Sequence, residues 1–183
     1  MLFGVLLAVL ALTASVSKGA TSHEAVLRER SGTTSQITSG SLVTAFQTCQ
    51  DIIDKQVPIF SGACESGNLK LILAGLSDVR HSIARLGSKC AVGHSADVTL
   101  APAVSTHFTT LLLKLQVLLK ILKDHNRVSQ SQSSLASLQL PLNMLVSFFK
   151  TGGVDIGSKI KSLGSALDLR LFSQIGITLN IEI

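Results

Sequence analysis

The sequence predicts an all-α, single-domain bundle of about five helices that ends in a short extended segment. Three observations predict it. Apolar residues recur at three- and four-residue spacing through five separate stretches. The gaps between those stretches carry Gly, Pro or Ser. Strict alternation closes the chain, with Ile177, Leu179, Ile181 and Ile183 set against Thr178, Asn180 and Glu182. At 183 residues, 46% of them hydrophobic, the chain is long and apolar enough to bury one core.

Residues 1–19 read as a secretory signal peptide. Leu2 to Leu12 is an apolar run too short to span a bilayer, small residues follow it, and cleavage after Ser17 or Gly19 fits the small-residue rule. Residues 20–40 are rich in Ser, Thr and Gly without periodicity and read as a disordered N-terminal arm. Residues 41–183 form the bundle domain. No later stretch reaches the ~18 apolar residues that a membrane span needs, so the mature chain is expected outside the cell and not across a membrane.

The first helix is expected from Ser41 to Val57, with Leu42, Ala45, Phe46, Cys49, Ile52, Ile53 and Val57 on one face. Ser39 or Ser41 caps its start, and Pro58 with Ser61-Gly62 ends it. The second runs from Asn68 to Leu86, stopped by Gly87, and makes an antiparallel hairpin with the first. The third starts near Ala101-Pro102-Ala103 and ends around Asp124 to Asn126. Val128 to Ser134 reads as a Ser/Gln loop. The fourth helix covers Leu135 to Lys150, kinked or begun at Pro141. After the Gly152-Gly153 break, a fifth, capped by Asp155 or Ser158, turns Ile160, Leu163, Leu167 and Leu171 to the core.

The third helix is the hub. Leu111, Leu112, Leu115, Leu118, Leu119 and Leu122 form one apolar face, and Leu113, Val117 and Ile121 a second row beside it. Thr109, Gln116, Lys120 and Lys123 are its polar strip. A helix apolar over so much of its girth is either enclosed by neighbours or offered to lipid or another hydrophobic surface.

Composition narrows the function classes. Charged residues are only 15%, against ~25% in an average soluble domain. There is no Trp or Tyr, and seven Phe are the only aromatics, a poor kit for stacking sugars or bases. The net charge of +5 is spread from Arg28 to Arg170 without a dense run, which argues against nucleic acid and allows a mild attraction to anionic membranes.

Cys49, Cys64 and Cys90 are disulfide candidates in an oxidising compartment, one pair with one thiol left over. Cys64 and Cys90 flank a helix ~28 Å long, too far for direct closure. Cys49 paired with Cys64 or with Cys90 is favoured, and the alternative is an unbonded Cys49 that acts as a small buried apolar residue. The five histidines are scattered, and there is no Cys-x-x-Cys, His-x-x-x-His, Gly-x-Ser-x-Gly or Gly-x-Gly-x-x-Gly. No catalytic, cofactor or metal residue is therefore expected, and Asp51 and Asp54 read as a solvated face.

The order of signal peptide, three cysteines around two amphipathic helices, and a Leu-rich helix resembles the small secreted helical proteins of mushroom-type fungi. The resemblance implies secretion. A looser similarity is to fungal helical proteins that bind hydrophobic surfaces or fatty acids. The expectation is a secreted, non-enzymatic binding protein for a lipid or hydrophobic surface. The alternative is a structural or host-interaction protein that self-associates through residues 177–183 or the odd cysteine, so the oligomeric state is open.

Overall fold

The computed structural model describes residues 37–97 and 99–182. The expected signal peptide and most of the expected N-terminal arm lie outside the described residues. Helix α1, Ser39–Glu65, starts on a capping box. Thr38 accepts from the Ser41 N–H at 3.2 Å, and the Ser41 hydroxyl accepts from the Thr38 N–H at 3.0 Å. The cap is thus Thr38, and the arm ends two residues before the expected boundary at 40.

Helix α1 does not stop at Val57. It runs through Pro58 and Gly62, because Phe60, Ala63 and Cys64 continue its buried face. Pro58 removes a single backbone bond, and burial of those side chains outweighs it. Helix α2, Leu69–Ala96, likewise runs through Gly87, which admits the Met144 side chain at 3.5 Å from where a Cβ would stand. Helix α3, Leu100–Asp124, has Pro102 in its first turn, as expected.

The expected Ser/Gln loop is a helix, α4, Val128–Ala136, which seats Ser131 and Leu135 against the core and packs on α2. Only two inward residues mark it, so its period is faint and its helicity comes from tertiary contact. Helix α5, Gln139–Thr151, begins just before Pro141. The expected fifth helix is broken into α6, Ile156–Ser162, a 3-10 turn, and α7, Leu169–Gln174. Asp155 caps α6 and Asp168 caps α7. The count is therefore seven α-helices among the described residues.

Four helices end on one local device. The left-handed residues Gly67, Asn126, Gly153 and Gly176 are each followed by an N–H that bonds back five residues, from Asn68 to Ala63, Arg127 to Leu122, Val154 to Phe149 and Ile177 to Phe172. This is the Schellman arrangement, which satisfies the last free carbonyls of each helix.

Helix α3 is the hub, packing against α1, α2, α5, α6 and α7. At its upper end Phe108 meets Phe149 at 4.9 Å between ring centres, and Phe149 takes Phe148 edge-on at 5.0 Å. Two glutamines pin the helices from inside. Gln50, on the inward row between Phe46 and Ile53, donates to the His107 carbonyl of α3 at 2.8 Å. Gln56 sits across the hairpin beside Gly75, where a Cβ would lie 2.4 Å from the Phe60 ring.

The C-terminal segment is not a strand: among the described residues there is none, and 177–182 has no regular secondary structure, with the Ile181 N–H closing a tight turn on the Leu179 carbonyl at 2.8 Å. Ile177 is fully buried. The Asn143 amide donates to the Thr178 carbonyl at 3.0 Å and accepts from the Asn180 N–H at 2.9 Å. Gln116 does the same for the link between α6 and α7, donating to the Ala166 carbonyl at 3.0 Å and accepting from the Asp168 N–H at 2.6 Å. Carbonyl of one residue and N–H of the residue two on is the pattern a parallel strand would satisfy. A side-chain amide therefore stands in for the missing neighbour in both places.

Candidate functional site

Each residue of the six-leucine face, Leu111, Leu112, Leu115, Leu118, Leu119 and Leu122, is 0% exposed. Of the neighbouring row only Val117 is open, and Leu113 and Ile121 are half-covered. Thr109, expected in the polar strip, is buried and donates to the Thr106 carbonyl. The leucines form the core, and no part of that face reaches the surface. Among the described residues no helix is long and apolar enough to cross a membrane.

The three cysteines are buried free thiols, which corrects the expected disulfide. Extension of α1 explains it: Cys49 and Cys64 share one helix and stand ~22 Å apart along its axis. Cys90 lies at the far end of the hairpin from Cys64 and two turns beyond Ser82, the residue hydrogen-bonded to Cys49. Burial pushes the Cys49 thiol up to about 11, which the Ser82 bond lowers only in part. Burial alone takes Cys90 up to about 12, and Cys64 also lies above its usual range, chiefly from burial. These are neutral, unreactive thiols.

Among the described residues no group of three His, Cys, Asp or Glu side chains could hold a metal ion. One surface feature was not visible in the sequence. It is an open trough of about 790 Å³ between the outer faces of α1 and α2. Its floor is Ala45, Ile52 and Leu86, and its rim carries Lys55, Arg85 and Lys89. Along α1 it extends ~21 Å from Ser41 to Lys55.

The hairpin register divides the trough into two ends. Gln56 donates to Asp78 at 3.5 Å, which places the single acidic residue of the lining at the Lys55 end. Arg85 and Lys89 lie one helical turn apart at the other end, and neither has an ion-pair partner among the described residues. The hydroxyls there are already committed: Thr44 donates to Gly40, Thr48 to Thr44, and Ser41 to Thr38. Free donors at that end therefore belong to the two cations.

His81 is the one imidazole in the trough. Its Nδ1 bonds the Ser77 carbonyl at 2.8 Å, so that nitrogen carries a proton; its Nε2 then accepts from Arg80 at 3.1 Å. Both ring nitrogens are engaged, so neither is free to act as a base toward a neighbouring hydroxyl. The arrangement can bind an anion; it holds no nucleophile and base in register. Asp54, expected on a solvated face, pairs with Lys114 of α3 and points away from the trough lining.

Comparison with known proteins finds no matching family model, no matching curated protein and no matching solved structure.

Proposed function

We propose that this chain is a secreted, non-enzymatic binding protein that takes an anionic amphiphile, a lipid with a carboxylate or phosphate head, along the trough between α1 and α2. The observation that supports it best is the pairing of Arg85 and Lys89, free of acidic partners, with the apolar floor of Ala45, Ile52 and Leu86. Two cations at one end of a trough with an apolar floor and a polar rim match a head group and the first part of its chain. Closure of the leucine core supports surface binding over an enclosed acyl chain. A thiol-linked assembly has little support, because all three sulfurs are buried.

A fluorescent fatty-acid displacement assay on the mature protein tests the reading. A cation near an anionic lipid contributes about 1 kcal/mol, so Arg85→Gln with Lys89→Gln should weaken binding by roughly 30-fold. The fatty alcohol of the same chain length should bind the wild type correspondingly more weakly than the acid. No displacement at micromolar protein, or equal affinity in the double variant, overturns the proposal.

A further inference from the structure

We infer that the ligand of the trough is an ω-hydroxy acid of about ten carbons, an anionic amphiphile whose far end carries a hydroxyl. This rests on the reading of the trough as a site for an anionic amphiphile, and it adds the chemistry of the ligand's other end. A plain fatty acid needs a site for its head group followed by an unbroken apolar run. Here the run is bounded. Arg85 and Lys89 stand at one end, and Asp78 stands at the other, with Lys55 of α1 beside the same end. The seven residues from Asp78 to Arg85 rise ~10 Å along α2. An extended alkyl chain with bonds of ~1.5 Å advances ~1.3 Å per carbon, so about ten carbons lead from the cations to Asp78. Ala45, Ile52 and Leu86 supply the apolar floor for that chain.

The polar groups at the far end have capacity to spare. Among the described residues Asp78 accepts only from the Gln56 amide, at 3.5 Å. Gln56 is itself nine-tenths buried, and its Oε1 has no hydrogen-bond partner. Lys55 has no carboxylate within ion-pair distance among the described residues. A methyl terminus arriving there would strip water from a carboxylate and an ammonium and return no hydrogen bond to either. A second carboxylate would meet Asp78, and an ammonium would meet Lys55. A hydroxyl donates to Asp78 and accepts from Lys55, so it fits both.

Competition against a fluorescent fatty acid on the full-length mature protein gives the test, with decanoic acid and its ω-hydroxy derivative as the two probes. The hydroxy acid should bind roughly 10-fold more tightly, the size of one hydrogen bond to a charged group. Asp78 is exposed, so Asp78→Ala leaves the core intact, and in that variant the two acids should bind alike. Arg85→Gln with Lys89→Gln should weaken both acids together and preserve their ratio. Equal binding of the two acids by the wild type, or an advantage that survives Asp78→Ala, overturns this inference and leaves the anionic-amphiphile reading standing. Displacement by neither acid overturns both.

Discussion

Replacing Leu115 by Ala separates an enclosed hub from an exposed lipid face. Leu115 lies mid-way along α3, is 0% exposed, and sits on the helix that contacts α1, α2, α5, α6 and α7. Removing its branched end withdraws the transfer energy of those groups and leaves a cavity that helices held on several sides cannot collapse into. The expected cost is about 3–4 kcal/mol. For a folded unit of this size that lowers Tm by roughly 10 °C. The control stands two residues away: Val117 is 47% exposed on the same helix, and Val117→Ala should change stability by no more than about 0.5 kcal/mol, since Ala is the better helix former. Both are read by urea unfolding followed by circular dichroism, with the slope checked for two-state behaviour. If Leu115→Ala costs under about 1 kcal/mol, the leucine face is not enclosed and the closed-core reading fails.

Three further outcomes follow from the geometry. Protein unfolded in denaturant without reductant should titrate three thiols with a thiol reagent, and the native protein almost none at pH 8, because Cys49 and Cys90 are buried with values near 11 and 12; a single thiol after unfolding would reveal a disulfide and refute the arrangement. Gly157→Ala should lift the end of the segment, since the new Cβ would meet the Glu182 carbonyl, and speed hydrogen exchange at the Asn180 amide while leaving the helices protected; unchanged exchange at Asn180 contradicts it. The hydrogen bond from Lys150, and then its charge, hold the Glu182 carboxyl below its ordinary 4.5. A depressed acid adds its stabilisation above the unfolded value and loses it as pH falls through the folded value, so the segment loosens only below about pH 4.5. NMR titration of Glu182 should return to the ordinary range in Lys150→Gln, and an identical curve in both proteins would count against the contact.

The faces were legible and the breaks were not. Of the face expected on the first helix, Leu42, Phe46, Cys49 and Ile53 are buried and Ala45, Ile52 and Val57 half-covered; of that on the fifth, Ile160, Leu167 and Leu171 are buried and Leu163 half-covered. A face is a property of neighbours within a few turns, so a sequence carries it directly. Pro58, Gly62 and Gly87 looked like stops because each lowers local helix propensity; burial of Phe60, Cys64 and Cys90 beyond them outweighs that penalty. At Gly153 the same signal does end a helix, because the residue takes a left-handed φ and the Val154 N–H closes on the Phe149 carbonyl. The reversal at the cysteines has the same origin: once α1 extends past Gly62, Cys64 moves from a flexible flank to the helix that holds Cys49. Gln50 and Gln56 had a readable clue, since both fall on the inward row of Phe46, Ile53 and Phe60, where a polar letter marks a buried polar side chain. The trough had none, because Lys55 of α1 and Arg85 of α2 come to line one surface only through the register of the hairpin.

Amides, rather than charges, hold the irregular parts of this fold. With charged residues at 15%, few ion pairs are available, and the two among the described residues, Lys114 with Asp54 and Lys150 with Glu182, are partly or largely exposed; such pairs contribute little. Gln116 and Asn143 instead bond backbone groups outside the α-helices, in the α6–α7 link and the C-terminal segment. A backbone group left unpaired costs more than a bonded one gains, so these two side chains fix where the chain crosses itself. That division of labour leaves the cations largely unused inside the fold. Arg85 and Lys89 stand free of ion-pair partners beside an apolar floor for this reason, and it is why the proposed binding lies at the α1–α2 surface and not at the leucines that dominate the sequence.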